Sequence, residues 1–298
     1  MMHSLFLTTT FALLPLTTLA QPTGTLSILT MNVAGLPAIL NNNDVPGDKA
    51  DNANQIGTYF ATYGYDIINV QEDFNYHAYI YETDNHTYRT ATSGGVPFGS
   101  GLNTLANYPW DESTFSRTKW NTCNLNSGDC LTPKGFTYMR MTIAETFTVD
   151  VYNLHTDAGD DSGDITARAS NLQQVADYIS ANSEGQPVLV FGDTNSRYTR
   201  TGDGIRIFST QNSLADAWVE LEMGGVEPTE GSDALVCENP SPIETCEIVD
   251  KVLYRSGHDV GLTAVSFEYA GDKFLQSNGS VLSDHDPVLV QFEWTVSA

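Results

Sequence analysis

Short apolar runs alternate along the chain with longer segments of helical periodicity. Residues 26–32 alternate apolar and polar side chains, which predicts a half-buried strand. Residues 188–191 are apolar at every position, as expected for a central strand covered on both faces. The pattern predicts further strands at residues 67–70, 101–109 (ending in a turn), 135–141, 147–153, 248–254, 263–267 and 287–294.

The clearest predicted helix lies between the strands at 147–153 and 188–191. Its apolar side chains recur at i, i+3, i+4 and i+7, in the series Leu172, Val175, Ala176 and Ile179. We expect either Asp164 or Thr166 to cap its N-terminus. Shorter helices are predicted at residues 50–61 and 76–82.

Strands outnumber helices, and no change in composition marks a linker. The chain has no internal repeats and no low-complexity tracts. These features predict one α/β domain with layered sheets over residues 21–298. Residues 1–20 have the pattern of a cleaved signal peptide, with an apolar stretch and the small residues Thr18 and Ala20 before the expected cut. A buried N-terminal helix is the alternative, but Pro15 would interrupt it.

Four cysteines fit an exported protein. Cys123 and Cys130 are close in sequence, as are Cys237 and Cys246, and each pair brackets a polar loop. Of the three possible connectivities we expect the two local disulfides. Zinc binding is the alternative, but the chain has no Cys-x-x-Cys motif. Glycosylation sequons at Asn85 and Asn278 would lie on exposed loops.

The chain is strongly acidic, with 13 Lys and Arg against 37 Asp and Glu and a formal net charge of −24. Such a surface disfavours non-specific binding of nucleic acid, although salt screening leaves nucleic acid possible as a substrate. No internal apolar run reaches the ~20 residues of a membrane span.

Chemically versatile side chains follow or precede the predicted strands. Taken alone, each of these residues has a purely structural explanation, such as an Asp that forms a turn or a histidine whose ring is hydrogen-bonded. Together, however, they provide oxygen ligands for a hard cation such as Mg²⁺ and imidazoles for proton transfer, which is the inventory of metal-assisted phosphoester hydrolysis. These residues are Asn32, Glu72, His155, Asp157, Asp193, Asn195, Asp250, Asp284 and His285.

In their order along the chain, these motifs resemble the endonuclease/exonuclease/phosphatase superfamily, which includes deoxyribonucleases, sphingomyelinases and inositol-polyphosphate phosphatases. The resemblance covers nearly the whole mature chain and implies a four-layer α/β sandwich, with two packed, mainly antiparallel mixed sheets flanked by helices. The segments that carry it are residues 30–33, 70–72, 101–109, 153–159, 192–195, 249–253 and 283–287. One departure is Ala106, where the family often has Ser.

The resemblance also implies a role for each site residue. Glu72 would be the principal ligand of Mg²⁺, or alternatively of Mn²⁺ or Ca²⁺, with Asn32 and Asp284 nearby. His285 would activate water, and Asp250 would orient the imidazole of His285. The remaining roles, holding the nucleophile, the phosphate oxygens or the leaving group, would belong to Asp193, Asn195 and His155.

Basic residues cluster just after the Gly-Asp-x-Asn motif, at Arg197, Arg200 and Arg206. Because arginine matches phosphate geometry, this segment is a candidate anion clamp for the substrate, with a solvated loop as the alternative. Candidates with weaker positioning are Arg117, Lys119, Lys134 and Arg140.

These observations predict a secreted, metal-dependent phosphoester hydrolase, with a phospholipid phosphodiesterase of sphingomyelinase type or a small-phosphoester hydrolase favoured. A deoxyribonuclease-like endonuclease is the alternative enzyme, and a catalytically silent binding module is the third hypothesis. A membrane-acting member needs exposed apolar side chains at the rim of its site. Candidates are Trp110, Trp120, Phe274 and Leu275. We expect a monomer.

Overall fold

Two six-stranded sheets form the framework of the computed structural model, which describes residues 21–297. One sheet has the strand order β11-β12-β1-β2-β4-β3 and the other β5-β6-β7-β8-β10-β9. The strands are β1 (Thr23–Asn32), β2 (Ile67–Gln71), β3 (Tyr88–Arg89), β4 (Asn103–Ala106), β5 (Ser116–Lys119), β6 (Gly135–Ala144), β7 (Phe147–Leu154), β8 (Val188–Asp193), β9 (Ala215–Asp216), β10 (Asp250–Arg255), β11 (Val260–Tyr269) and β12 (Val288–Val296). The expected signal peptide, residues 1–20, lies outside the described residues.

Helices pack against the two sheets. They are α1 (Lys49–Tyr63), α2 (His77–Thr83), α3 (Ser162–Asn182), α4 (Ile207–Asn212) and α5 (Ala217–Leu221), with short 3₁₀ turns at Asn126–Leu131 and Gly271–Lys273. The central pairs β1–β2 and β7–β8 are parallel and all other pairings are antiparallel. α1 connects the first parallel pair and α3 the second, because parallel neighbours need a crossover connection.

Strand β1 shows how the layers stack. Leu26 and Ile28 belong to the core between the sheets, whereas Leu29 and Met31 belong to a second cluster against α1. Because successive side chains of a strand point to opposite faces, one strand contributes to both layers. The predicted four-layer α/β sandwich is confirmed.

Two helix starts illustrate how the chain encodes its elements. Asp48 caps α1 by accepting hydrogen bonds from the backbone N–H groups of Ala50 and Asp51, at 2.8 and 3.2 Å. The predicted cap of α3 was wrong, because the N-cap is Asp161. Asp164 instead accepts from the backbone N–H of Asp161 at 3.2 Å, so it belongs to the first helical turn. That turn is polar and lacks the apolar periodicity used to locate the helix.

Both local disulfides are present, Cys123–Cys130 and Cys237–Cys246, as the spacing predicted. The two sequon residues, Asn85 and Asn278, are exposed.

The sequence pattern missed the short strands β3, β5 and β9 and the short helices α4 and α5. In the described part of the chain, no helix has the length and apolarity to cross a bilayer.

Candidate active site

The strand directions bring the predicted site residues to one edge of the sandwich. β1 and β2 run parallel, so Asn32 at the end of β1 lies beside Gln71, directly before Glu72. β8 and β10 run antiparallel, and their register pairs Asp193 with Asp250. The end of one strand and the start of its neighbour therefore supply carboxylates to the same place.

Close packing at this edge explains the glycine of the Gly-Asp-x-Asn motif. A Cβ atom on Gly192 would lie 2.3 Å from the carbonyl oxygen of Leu154, on the neighbouring strand β7. A side chain at this position would force the central strands apart and displace Asp193, the next residue. The absence of a side chain at Gly192 therefore allows the close strand packing that positions the carboxylate of Asp193.

A cavity of about 430 Å³ opens at this edge. Six of the predicted site residues line it: Glu72, His155, Asp193, Asn195, Asp284 and His285. The other two, Asn32 and Asp250, lie behind this lining, where they hydrogen-bond Asp193 and His285. The structure therefore brings together all eight of the predicted catalytic and metal-binding residues.

His285 is held between two carboxylates. Its Nδ1 lies 2.7 Å from Oδ2 of Asp250, and its Nε2 lies 3.9 Å from Oδ2 of Asp193. Burial lowers the pKa of His285, but the attraction of Asp250 and Asp193 outweighs it and raises the pKa well above the ordinary value for histidine. The paired carboxylate fixes the ring orientation and stabilises an imidazolium, as required of a base that takes a proton from water.

His155 lies in a different electrostatic setting, although it borders the same cavity. Its Nε2 lies 3.2 Å from Oδ2 of Asp193 and 3.0 Å from the ammonium of Lys134. Burial lowers the pKa of His155 well below the ordinary value, and the positive charges of Lys134 and His285 lower it further. The two histidines therefore differ in their surroundings: the carboxylates beside His285 stabilise an imidazolium once a proton has been taken up, whereas burial and the neighbouring positive charges disfavour one at His155.

Two asparagines position the groups around Asp193. The amide of Asn32 donates to Oδ2 of Asp193 at 3.2 Å, and the backbone N–H of Asn195 donates to Oδ1 at 2.9 Å. Asn195 adopts a left-handed backbone conformation with φ 46°. Burial raises the pKa of Asp193 to about 6, and the charge of His285 opposes this shift. Asp193 is thus the common partner of both histidines and both asparagines.

Glu72 has the features expected of a ligand to an added cation. It adopts a left-handed backbone conformation with φ 54°, which is unusual for a residue other than glycine. Burial raises the pKa of its carboxyl group, and its Oε2 has no hydrogen-bond partner among the described residues. Such a strained, unpaired carboxylate is costly unless a cation compensates it.

The donor set fits a hard divalent cation. Asp284 lines the cavity with Glu72, and both present oxygen atoms. Asp193, Asp250 and His285 also place ligand atoms within 4.8 Å of one another, so this neighbouring cluster could hold an ion as well. The residues present therefore agree with a metal at this edge, without fixing its identity.

The arginine segment after the motif is not part of the cavity lining. Arg200 bonds the carboxylate of Asp203 and the carbonyl of Asn195, and Arg206 pairs with Glu227. The backbone N–H of Arg197 also donates to Asp203, at 2.8 Å. Binding of substrate by Arg197 and Arg200 stays a prediction, and the contacts of Arg200 connect it to the site through the backbone of Asn195.

Lys134 supplies the ammonium of the cavity lining, although its position in the sequence makes it only one of the weaker candidates. The signal that could have found it is the β6–β7 hairpin: Phe136 pairs with Leu154, so the residue before β6 lies near the residue after β7, which is His155. In an antiparallel pair the start of one strand reaches the same edge as the end of its neighbour, so a residue before a strand can join the site.

The sandwich and its carboxylate- and histidine-lined edge define a DNase I-like structural class. The chain belongs to the endonuclease/exonuclease/phosphatase family 2, whose model matches residues 48–232. The family resemblance noted from the motifs is confirmed. Sphingomyelinases of Mycobacterium tuberculosis and Mycobacterium bovis are each 40% identical to this chain over 278 residues. The alignment covers 91% of this chain and 53% of each relative, so the chain spans about half their length.

Solved structures show the same fold at lower sequence identity. Sphingomyelinase C from Streptomyces griseocarneus is 20% identical, with a TM-score of 0.62 over 90% of this chain and 99% of that one. TDP2 from D. rerio, complexed with a single-strand DNA product, is 17% identical, with a TM-score of 0.66 over 90% and 98%. A Staphylococcus aureus beta toxin mutant with bound magnesium ions is 15% identical, with a TM-score of 0.59 over 92% and 100%.

Proposed function

We propose that this chain is a secreted, divalent-metal-dependent phosphodiesterase acting on sphingomyelin or a closely similar phospholipid. The observation that carries the proposal is the constellation in one cavity of an unpaired buried carboxylate, Glu72, and an imidazole, His285, oriented by Asp250. The 40% identity to two sphingomyelinases supports the choice of substrate. A catalytically silent module would not need these strained and desolvated groups.

The residues divide the work of phosphodiester hydrolysis between them. His285 takes the proton of the attacking water at Nε2, while Asp250 holds the ring through Nδ1. Asp193 lies on the other side of this imidazole, where its carboxylate orients the water. Asn195 and His155 would support the phosphate and the departing oxygen, the roles that the family resemblance implies.

Glu72, with Asn32 and Asp284, would hold Mg²⁺ in this site, and Mn²⁺ or Ca²⁺ are alternatives with the same oxygen preference. The ion would supply Lewis-acid polarisation of the phosphoryl group. The amide oxygen of Asn32 already accepts from the backbone N–H of Ala34 at 3.0 Å, which fixes its orientation. This hydrogen bond supports Asn32 as an oriented oxygen donor in the proposed site.

Exposed apolar side chains around the cavity favour a lipid over DNA. Leu40, Val96 and Leu131 line the cavity, and Ile39 and Phe98, which are close to Leu40 and Val96 along the chain, are exposed. We call these five residues the apolar rim. Together with a net charge of −24, the rim suits the net-neutral surface of a zwitterionic membrane better than a polyanion.

The rim residues expected from sequence differ from those observed. Phe274 and Trp120 are buried, and Trp110 is packed against the core. Phe274 packs against Phe60 and Tyr63 of α1, because its ring completes the cluster under that helix. The expectation that Phe274 and Trp120 contact lipid was therefore wrong.

Secretion is the part of the proposal that concerns where the protein acts. Two disulfides persist in oxidising compartments, and the segment 1–20 has the pattern of a signal peptide. Sequencing the N-terminus of the exported protein tests this point. A mature chain beginning at Gln21 is expected, and a retained Met1 would contradict the cleavage.

A substrate panel tests the activity. The purified protein is incubated with sphingomyelin vesicles, bis-p-nitrophenyl phosphate, inositol phosphates and plasmid DNA, each with Mg²⁺ or with EDTA. We expect phosphocholine to be released from sphingomyelin with Mg²⁺ and not with EDTA. His285→Ala is the matched inactive control.

Three outcomes would overturn the proposal. Cleavage of plasmid DNA with no release of phosphocholine would assign the chain to the nuclease members of the family. Faster turnover of inositol phosphates than of sphingomyelin would make it a small-phosphoester hydrolase. Absence of any phosphorus–oxygen cleavage with Mg²⁺, Mn²⁺ or Ca²⁺ would make it a binding module.

A further inference from the structure

The segment that carries His285 lies outside the two sheets. Strand β12 begins at Val288, and residues 282–287, all within the described part of the chain, form neither helix nor strand. Because no strand pairing fixes this stretch, its position depends on the hydrogen bonds that neighbouring loops make with it. The contacts of residues 283–286, which we call the histidine segment, therefore decide where the imidazole of His285 points.

The loop closed by the Cys237–Cys246 disulfide packs against the histidine segment. The side-chain amide of Asn239 donates to the carbonyl oxygen of Ser283 at 2.9 Å. Ser241 donates twice to Oδ2 of Asp286, from its backbone N–H at 2.9 Å and from its hydroxyl at 2.6 Å. Both ends of the histidine segment are thus hydrogen-bonded to the same disulfide loop.

Asp286 is enclosed as well as hydrogen-bonded. It is buried, and a Cβ atom on Gly271 would collide with its Oδ1, so the carboxylate fits only because this neighbour is a glycine. A buried carboxylate is costly unless it accepts hydrogen bonds. Among the described residues, both hydrogen bonds to this carboxylate come from Ser241. The link between the loop and the histidine segment is therefore concentrated in one residue on each side.

The disulfide loop is itself attached to the framework. The hydroxyl of Tyr269, the last residue of β11, donates to the carbonyl oxygen of Cys246 at 2.5 Å. The indole of Trp218, on α5, donates to the carbonyl oxygen of Glu244 at 2.7 Å. Cys246 is also fully buried. The loop can therefore act as a fixed support for the residues that it contacts.

The same stretch of chain leads directly to the partner of His285. Soon after Cys246 the chain reaches Asp250, the first residue of β10, whose Oδ2 lies 2.7 Å from Nδ1 of His285. The histidine is thus tied to this stretch twice, by its own ring and through the neighbouring residue Asp286. Two such attachments restrict the backbone on which the ring is carried, as is needed to hold a catalytic group in its productive geometry.

We propose that Ser241 and Asp286 are positioning residues, through which the disulfide loop holds the histidine segment so that the imidazole of His285 stays against Asp250. Neither residue belongs to the cavity lining. The proposal deepens the proposed function and rests on it for the reaction in which His285 takes part. The placement of the ring, however, is a property of the fold and can be measured without turnover.

Kinetics of variants at the two positions test the proposal. Asp286→Ala removes both hydrogen bonds and should lower kcat for bis-p-nitrophenyl phosphate by ~10- to 10²-fold with little change in KM, because a misplaced base slows the reaction of bound substrate. Ser241→Ala keeps the backbone donor and should lose less. Ser241→Thr restores the hydroxyl and should recover most of the wild-type kcat.

Ser232→Ala is the matched control, since the exposed hydroxyl of Ser232 bonds only the nearby carbonyl of Thr229. Its kcat should equal that of the wild type. All rates are measured well below the Tm of each variant, so that unfolded chains do not contribute to the loss.

A double variant tests whether Ser241 and Asp286 act through one contact. In that case Ser241→Ala should cause no further loss of kcat in the Asp286→Ala background. Losses that multiply in the double variant would show that the two residues act separately, and the proposal would be overturned.

The hydrogen bond between His285 and Asp250 gives a readout that does not depend on turnover. Its Nδ1 proton should give a downfield ¹H NMR signal in the wild type and in Ser232→Ala, identified by its loss in His285→Ala. Asp286→Ala should shift or broaden this signal. An unchanged signal in folded Asp286→Ala, whatever its kcat, would end the proposal alone. A wild-type chain that cleaves none of the esters but shows the Asp286-dependent change would end the proposed function and leave the positioning role standing.

Discussion

Two regions of this molecule place lysine or arginine side chains near the same Gly-Asp-x-Asn motif, and they differ in what those charges face. In the arginine segment after Asn195, Arg200 and Arg206 are satisfied by Asp203, by Glu227 and by backbone carbonyls. At the cavity, Lys134 keeps one N–H unoccupied among the described residues. A cluster of basic residues in the sequence therefore does not by itself identify a positive charge that is free to bind substrate. Neighbouring carboxylates hold some of these side chains in structural ion pairs.

The largest effect is expected on the cavity side, from His285→Ala. The change removes the base oriented by Asp250 and should lower kcat by at least ~10²-fold. Initial rates on bis-p-nitrophenyl phosphate measure it, with circular dichroism as a check of folding. Retention of more than a tenth of the wild-type rate by a folded variant would contradict the role of His285.

The next effect tests the unpaired carboxylate. Glu72→Gln removes the charge and preserves the shape, so the concentration of Mg²⁺ needed for half-maximal activity should rise ~10-fold or more. Titration with Mg²⁺ from an EDTA-stripped sample measures this. Glu82→Gln, on α2 and outside the cavity lining, is the control. An unchanged titration would remove Glu72 from the ligand set.

The apolar rim gives a smaller effect that depends on the form of the substrate. Leu40→Ser/Leu131→Ser should lower the rate on sphingomyelin vesicles by ~10-fold, because less apolar surface enters the lipid. The rate on bis-p-nitrophenyl phosphate should not change. Val226→Ser, at an exposed apolar residue away from the cavity, is the control. Equal losses of rate on both substrates would show that the rim residues shape the cavity and do not contact the membrane.

In the arginine segment, the main expected effect is on stability. Asp203 accepts from the fully buried Arg168 at 2.6 Å and from Arg200 at 2.7 Å. Asp203→Ala leaves the guanidinium of Arg168 unpaired and should lower the free energy of unfolding by about 3–5 kcal/mol. Urea denaturation measures this, with the exposed Asp233→Ala as control. A loss below about 1 kcal/mol would show that the pair is not structural.

The smallest expected effect separates the two regions directly. Arg200→Gln removes a charge that contacts the carbonyl of Asn195, outside the cavity lining, so kcat/KM should fall by less than ~10-fold. Steady-state kinetics of Arg200→Gln beside the wild type measure the change. A loss of ~10²-fold, the size expected for removal of one donor to the phosphate, would restore the arginine segment as the anion clamp.

Much of the fold could be predicted because burial imposes periodicity on the sequence. The predicted helix around Leu172 and Ile179 lies within α3, and the apolar run 188–191 forms most of β8, buried on both faces. The short elements were missed because two-residue strands such as β3 contain too few positions to show a period. Their pairing is decided by neighbours far along the chain.

The sequence by itself determined which side chains are available for chemistry and at which ends of the strands they lie. Asp193 and Asn195 could be placed from their strand alone, since local pattern fixes where a strand stops. Only the tertiary structure decided which groups face one another: Asp250 against His285, Asp129 against Lys134, and Phe274 inside the core rather than at the rim. Such pairings join residues brought together by strand register and loop closure, and neither leaves a local periodic signal in the chain.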